Sequence, residues 1–172
     1  MKPRRLEAQL ERLHEESFGW ALSCCGHDRT EAEDVLQTTY LKIITGKARY
    51  GGRSALKTWV FGVIRRTAQE ASRKAAAERR RMIRLVTDEV EDQGSESLDG
   101  SLDRTRIAEA LKKAMGSLSD RQRQVLHLVF YQDLTIAEAA EVMGVSLGSA
   151  RTHYERGKER LRTLLRKGEN VA

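Results

Sequence analysis

The sequence predicts an all-α fold made of two small helical domains joined by a flexible acidic linker. Three observations carry this. One proline and 5% aromatics in 172 residues leave little material for strands and their turns. Apolar residues recur at three- and four-residue spacing along most of the chain. Helix-capping Ser and Thr stand ahead of those runs, paired with Glu or Gln three residues on at Thr30–Glu33, Ser119–Gln122 and Thr135–Glu138.

Charge divides the chain more sharply than hydropathy does. Residues 1–45 carry 6 basic and 8 acidic side chains, 46–87 carry 12 and 2, 88–104 carry 1 and 7, and 105–172 carry 12 and 8. The acidic block, "DEVEDQGSESLDGSLDR", mixes glycine and serine with few large apolar residues and cannot bury enough surface to fold alone. It reads as a linker at 88–104 between domains of about 1–87 and 105–172. The overall net charge of +6 leaves a basic surface suited to a polyanion. No apolar run approaches the roughly 20 residues of a membrane span, and Met1-Lys2-Pro3-Arg4-Arg5 leads into an amphipathic helix and not a signal-peptide core, so a cytoplasmic protein is expected. Cys24 and Cys25 are adjacent, where disulfide geometry is strained, and His27 has no second ligand pair at finger-like spacing. Both read as free thiols. No metal and no cofactor are expected.

In the first domain, Thr30-Glu31-Ala32-Glu33 opens a helix of about 30–45. Val35, Leu36, Thr39 and Ile43 face a core, which leaves Glu33, Asp34, Gln37 and Thr38 toward solvent. An acidic-polar ridge on a basic protein suits a basic protein partner better than DNA. A glycine-bearing loop, Gly46 to Arg53, follows, and Ser54 is placed to cap a long helix whose buried face is Leu56, Val60, Val63, Thr67 and Ala71. Arg66, Arg73 and Arg80 fall seven apart, a basic stripe matched to phosphates. Trp59 and Phe61 each admit two readings, a packed core aromatic or a stacking surface. Trp59 lies beside the core stripe, whereas Phe61 turns away from it and can offer its ring to an unpaired base.

The second domain begins with a helix that includes Leu111 to Gly116, and the box at Ser119–Gln122 opens the next, with Val125, Leu126, Val129 and Phe130 as its apolar stripe. The box at Thr135–Glu138 opens a third, whose small Ala139 and Ala140 permit close packing. Met143-Gly144-Val145-Ser146 then interrupts the helical pattern, and Ser146 caps a last helix that turns Ala150, Tyr154, Gly157 and Leu161 inward. Two helices meeting at a short glycine-bearing turn make a helix-turn-helix, whose second helix can lie in the major groove. Its outer face presents Gly148, Ser149, Thr152, Glu155 and Arg156, with Arg151 on the flank. Arginine pairs with guanine, glutamate accepts from the cytosine amine, and Ser or Thr contacts base or phosphate. Gly157 is expected to weaken this helix by about 1 kcal/mol relative to alanine.

A polar ridge for a protein, a basic aromatic surface for single strands, a linker and a duplex reader, in that order, resemble the extracytoplasmic-function (ECF) sigma factors of bacterial RNA polymerase. "AEDVLQTTYLKI" is similar to the family's core-polymerase-binding helix, "SALKTWVFGVIRRTA" to its promoter-melting helix, and "LSDRQRQVLHLVFYQDLTIAEAAEVMGVSLGSARTHYERGKERL" to its helix-turn-helix domain. The resemblance implies that Asp34 and Gln37, with Glu33 and Thr38 beside them, dock on core RNA polymerase. It implies that Lys47, Arg49 and Arg53 lie in the loop that captures a base flipped from the −10 element. Trp59, Phe61, Arg65, Arg66 and Arg73 lie along the helix that carries the strand. Ser149, Arg151, Thr152, Glu155 and Arg156 fall where the family meets the −35 element. Thr38 stands where the family commonly has Glu, and Arg66 where it often has Asn. An anti-sigma factor is a further implied partner, and no catalytic residue is implied. The competing reading is a stand-alone helix-turn-helix regulator. An enzyme acting on nucleic acid finds no Gly-rich phosphate motif and no nucleophile–base pair in this chain.

Overall fold

The structure, a computed structural model, describes residues 3–85 and 104–169. The described residues form eight helices and no strand: α1 (Pro3–Arg12), α2 (His14–Cys24), α3 (Arg29–Ile44), α4 (Leu56–Leu85), α5 (Arg104–Gly116), α6 (Asp120–Phe130), α7 (Ile136–Met143) and α8 (Leu147–Glu169). The acidic stretch read as a linker lies outside them, but for Arg104 at its end. Helices α2, α3 and α4 pack on one another as a first domain, and α5 to α8 as a second.

The first domain starts its helices slightly differently from the sequence reading. Asp28, not Thr30, caps α3: its side-chain oxygen accepts from the Glu31 amide at 2.9 Å. Gly26 and His27 both take left-handed backbone angles (φ 61 and 70) and turn the chain, so the aspartate is first in position to accept. Glu33 pairs instead with Arg29, at 3.0 Å. Likewise α4 begins at Leu56, two residues beyond Ser54, whose carbonyl accepts from the Tyr50 hydroxyl. That bond folds the preceding loop back so that Tyr50 packs on Trp59, ring centroids 5.2 Å apart.

In the second domain the local chemistry follows the sequence closely. Ser119 with Gln122, and Thr135 with Glu138, close full capping boxes. Gly144 ends α7 in the left-handed conformation (φ 63), which only glycine adopts without strain, and Ser146 accepts from the Ser149 amide at 3.1 Å to start α8. Two expectations change. Phe130, read into the apolar stripe, is 57% exposed and stacks on half-buried Tyr154, while Leu128 is buried in its stead. Gly157 is buried against α6, where a Cβ would lie 3.0 Å from Leu126 Cδ1. The missing side chain is what lets α8 approach.

The two halves share one core. Helix α4 is buried on two faces about 100° apart at 100° per residue. Val63 and Thr67 are buried on one of them, while Val60, Phe61, Ile64 and Ala68 join a single apolar cluster that runs from Trp20, Val35 and Leu36 into Val125, Leu128, Ala139, Val142 and Met143. Five apolar or small residues in a row, Val60 to Ile64, are therefore a helix covered from both sides. The expectation that Phe61 turns to solvent is corrected by this: it is 0% exposed.

Candidate nucleic-acid interface

Helix α8 presents its outer face without obstruction. Gly148, Ser149, Arg151, Thr152, Glu155 and Arg156 are all exposed, and Ala150 and Gly157 anchor the opposite side. The Thr152 hydroxyl donates to the Gly148 carbonyl at 3.0 Å, and Glu155 is bridged to Lys158 at 3.1 Å. Lys158 in turn lies over the Tyr154 ring, 4.5 Å from its centroid. Neither arginine has an ion-pair partner among the described residues, so both keep their donor forks for a base edge or phosphate.

A second basic surface runs along α4 and the loop before it. Lys47, Arg49 and Arg53 are exposed around a turn in which Gly46 and Gly52 hold positive φ (73 and 70). Trp59 is half-buried against Tyr50, and Arg66, Arg73 and Arg80 are exposed at helical intervals. Arg65 differs from these: it is half-buried, burial lowers its pKa, and its Nε donates to Gln124 Oε1 on α6 at 2.8 Å. Lys57, which the sequence reading passed over, donates from Nζ to the Gln132 carbonyl at 2.8 Å and pairs with Glu16 at 3.0 Å. Phe61 lies between them along α4, fully buried, with its ring stacked on Trp20 of α2. The run of apolar residues around Phe61 was the available signal that this face is covered.

The third surface is the α3 ridge. Glu33, Asp34, Gln37 and Thr38 are exposed, as the spacing predicts. The ridge continues into Leu41 and Ile44, 62% and 59% exposed, so its far end is apolar. A hollow beside it is lined by His14, Phe18, Leu36, Gln37 and Tyr40. An acidic start and an apolar end on one helix suit a protein partner with a mixed surface.

Cys24 and Cys25 are free thiols, Cys24 lining a hollow with Arg65 and Arg73 and Cys25 a cleft with His27 and His127. Burial, with its neighbour Cys25, raises the Cys24 pKa, and burial with Glu31 raises Cys25 to about 11. Both stay protonated and weakly reactive.

Comparison with known families decides what combines these surfaces. Residues 10–78 match the family model described as Sigma-70 region 2, and residues 114–163 that described as Sigma-70, region 4, together well over half of the chain. The chain belongs to the sigma-70 family. Among similar proteins, the ECF RNA polymerase sigma factor SigX of Bacillus subtilis is 28% identical over 138 residues, 78% of this chain and 71% of SigX. The ECF RNA polymerase sigma factor SigC of Mycobacterium tuberculosis is 26% identical over 158 residues, 92% of this chain and 82% of SigC. In fold, the chain is similar to the sigma factor RpoE solved in complex with the anti-sigma factor NepR from Bartonella quintana. That likeness has a TM-score of 0.73 at 24% identity and covers 95% of this chain and 98% of RpoE. The chain is thus an ECF-type sigma factor, and its partners are core RNA polymerase and promoter DNA. No helix among the described residues is long and apolar enough to cross a membrane.

Proposed function

We propose that this sigma factor distributes promoter recognition over three surfaces. The α3 ridge, with Asp34 and Gln37 central and Glu33 and Thr38 beside them, docks on core polymerase. The loop residues Lys47, Arg49 and Arg53, with Trp59, Arg65, Arg66 and Arg73, take the unpaired −10 strand. Ser149, Arg151, Thr152, Glu155 and Arg156 read the −35 duplex. The units that do this are residues 1–87 and 105–172, with 88–104 as the acidic connection. The carrying observation is the exposed, capped face of α8, where two unpaired arginines and an acceptor stand on one side of a helix whose other side is locked into the fold.

The protein works by binding and deforming DNA, without a catalytic centre of its own, and acts in the cytoplasm where polymerase and chromosome are. Extrusion of a −10 base opposes binding by a few kcal/mol, which contacts in the loop offset. An anti-sigma factor is a further partner, as for the structural relative RpoE, solved in complex with NepR. The test is co-purification with bacterial core RNA polymerase followed by run-off transcription from a library of promoter fragments. Stoichiometric binding and new, sequence-dependent start sites are expected. Failure to bind core, with tight binding to a palindromic duplex, would overturn the assignment in favour of a stand-alone regulator.

A further inference from the structure

Arginine outnumbers its counter-charges where α2, α4 and α6 meet. A hollow of about 430 Å³ opens there, lined by Arg65, Ser72 and Arg73 of α4, Asp120 and Gln124 of α6, and Cys24 of α2. Arg65 is half-buried, yet its guanidinium has one partner among the described residues and that partner is neutral, Gln124 Oε1 at 2.8 Å from Nε. Cys24 beside it stays a protonated thiol and brings no charge. Asp120, the one carboxylate on the lining, is already bridged to Arg123 at 2.5 Å. Arg73 Nε donates within its own helix, to the Gln69 carbonyl at 3.2 Å, and has no carboxylate partner among the described residues. Burial lowers the Arg65 pKa, and the charges of Arg121 and Arg66 lower it further. A half-buried cation without a counter-ion is costly, and an anion seated in the hollow removes that cost.

The donors define the anion. Gln124 gives its oxygen to Arg65, which leaves its amide N–H groups to donate, Ser72 adds a hydroxyl, and each arginine keeps the outer N–H groups of its fork. Such a set suits an anion with many acceptor oxygens, as a phosphate has. Arg65 and Arg73 are eight residues apart, about 12 Å along the helix axis, a spacing closer to the reach of linked phosphates than of one. The hollow also has the size of a small-molecule site and exceeds what a lone phosphate fills. We propose that it is a binding site for a small molecule bearing two or more linked phosphates, held by the guanidinium groups of Arg65 and Arg73 and the amide of Gln124. The site lies off the α8 reading face and does not depend on the assignment of α4 to the −10 strand. Under that assignment, ligand and strand draw on the same two arginines and exclude one another.

The probes are pyrophosphate, tripolyphosphate and ATP, titrated calorimetrically into the full chain at fixed ionic strength without magnesium, with inorganic phosphate for comparison. One-to-one binding is expected, with pyrophosphate about tenfold tighter than phosphate because its second group binds at high effective concentration. Arg65→Gln should weaken pyrophosphate about tenfold or more through loss of charge-assisted bonds. Arg73→Gln, at an exposed position, should do the same without touching the Arg65–Gln124 bond, and stands in should circular dichroism show the first variant misfolded. Arg160→Gln removes one positive charge from the exposed surface of α8 and should leave binding as it was. Equal weakening in all three variants would reduce the attraction to the net charge of the chain and overturn the site, as would an unchanged affinity in either arginine variant of the hollow. A chain that holds a labelled single strand through these arginines but takes up no polyphosphate would overturn the site and uphold the −10 assignment. Polyphosphate binding with strand affinity untouched by either variant would do the reverse. ATP tighter than tripolyphosphate would identify a nucleotide, and equal affinities an inorganic chain; either supports the site.

Discussion

At the scale of single residues, Gly157 shows how a contact reverses a propensity. Alanine in a helix is favoured over glycine by about 1 kcal/mol, but here the added carbon meets Leu126 at 3.0 and 3.3 Å and Gln122 Cβ at 3.4 Å, and Leu126 is itself fully buried. Overpacking of that kind costs about 1–3 kcal/mol. Gly157→Ala should therefore lower the denaturant midpoint; a rise would show that α6 can shift to admit it. Arg156→Ala should lose about 1–3 kcal/mol at one −35 position in a binding selection, and a uniform loss across sequences would assign Arg156 to phosphate. Asp34 is exposed and has no hydrogen-bond or ion-pair partner among the described residues. Asp34→Lys should abolish recovery with core polymerase and leave the helical spectrum as it was; normal recovery would take Asp34 out of the docking surface.

At the scale of elements, what the sequence disclosed was what is decided locally. The two capping boxes of the second domain, the Gly144 turn and the Ser146 cap each involve residues within a few positions of one another, and all were legible. The α3 cap was misplaced because two residues with positive φ, Gly26 and His27, turn the chain ahead of it, and His27 gives no sequence sign of doing so. The Thr135 box also carries a pH signature. The Thr135 amide and hydroxyl hold the Glu138 carboxyl below the usual glutamate range, so its contribution is present above the unfolded pKa and is lost as pH falls through the folded one. Thr135→Ala should cost about 0.5–2 kcal/mol at neutral pH, with a smaller difference from the unmodified chain in acid melts. An undiminished difference in acid would detach Glu138 from the cap.

At the scale of the whole molecule, the reading of two tethered domains omitted the seam between them. That seam pairs α4 with residues some 75 positions away, and periodicity within α4 marks only its face toward the first domain. The run Val60 to Ile64 held the second face, but an apolar run alone does not say what covers it. The seam should weaken in acid. Burial, and then the charge of His27, push His127 down to about 4. His27, Asp28, Glu31, Lys112, Arg123 and Tyr131 line the cleft it borders. Because its folded pKa lies below the ordinary value of 6.5, its contribution is whole above pH 6.5 and is lost as pH falls toward 4. Denaturant midpoints should fall through that window, and less so in His127→Gln; equal falls would exonerate the imidazole. A different consequence follows from the far end of α4. From Ser72 to Ile83 every residue is exposed, so this part of a 30-residue helix, about 45 Å long, stands clear of the fold. Only its own alanines and arginines keep it helical, and its amides should exchange with deuterium far sooner than those near Val60. A strand laid along those arginines would slow that exchange, so part of what DNA spends on binding here goes into winding the helix.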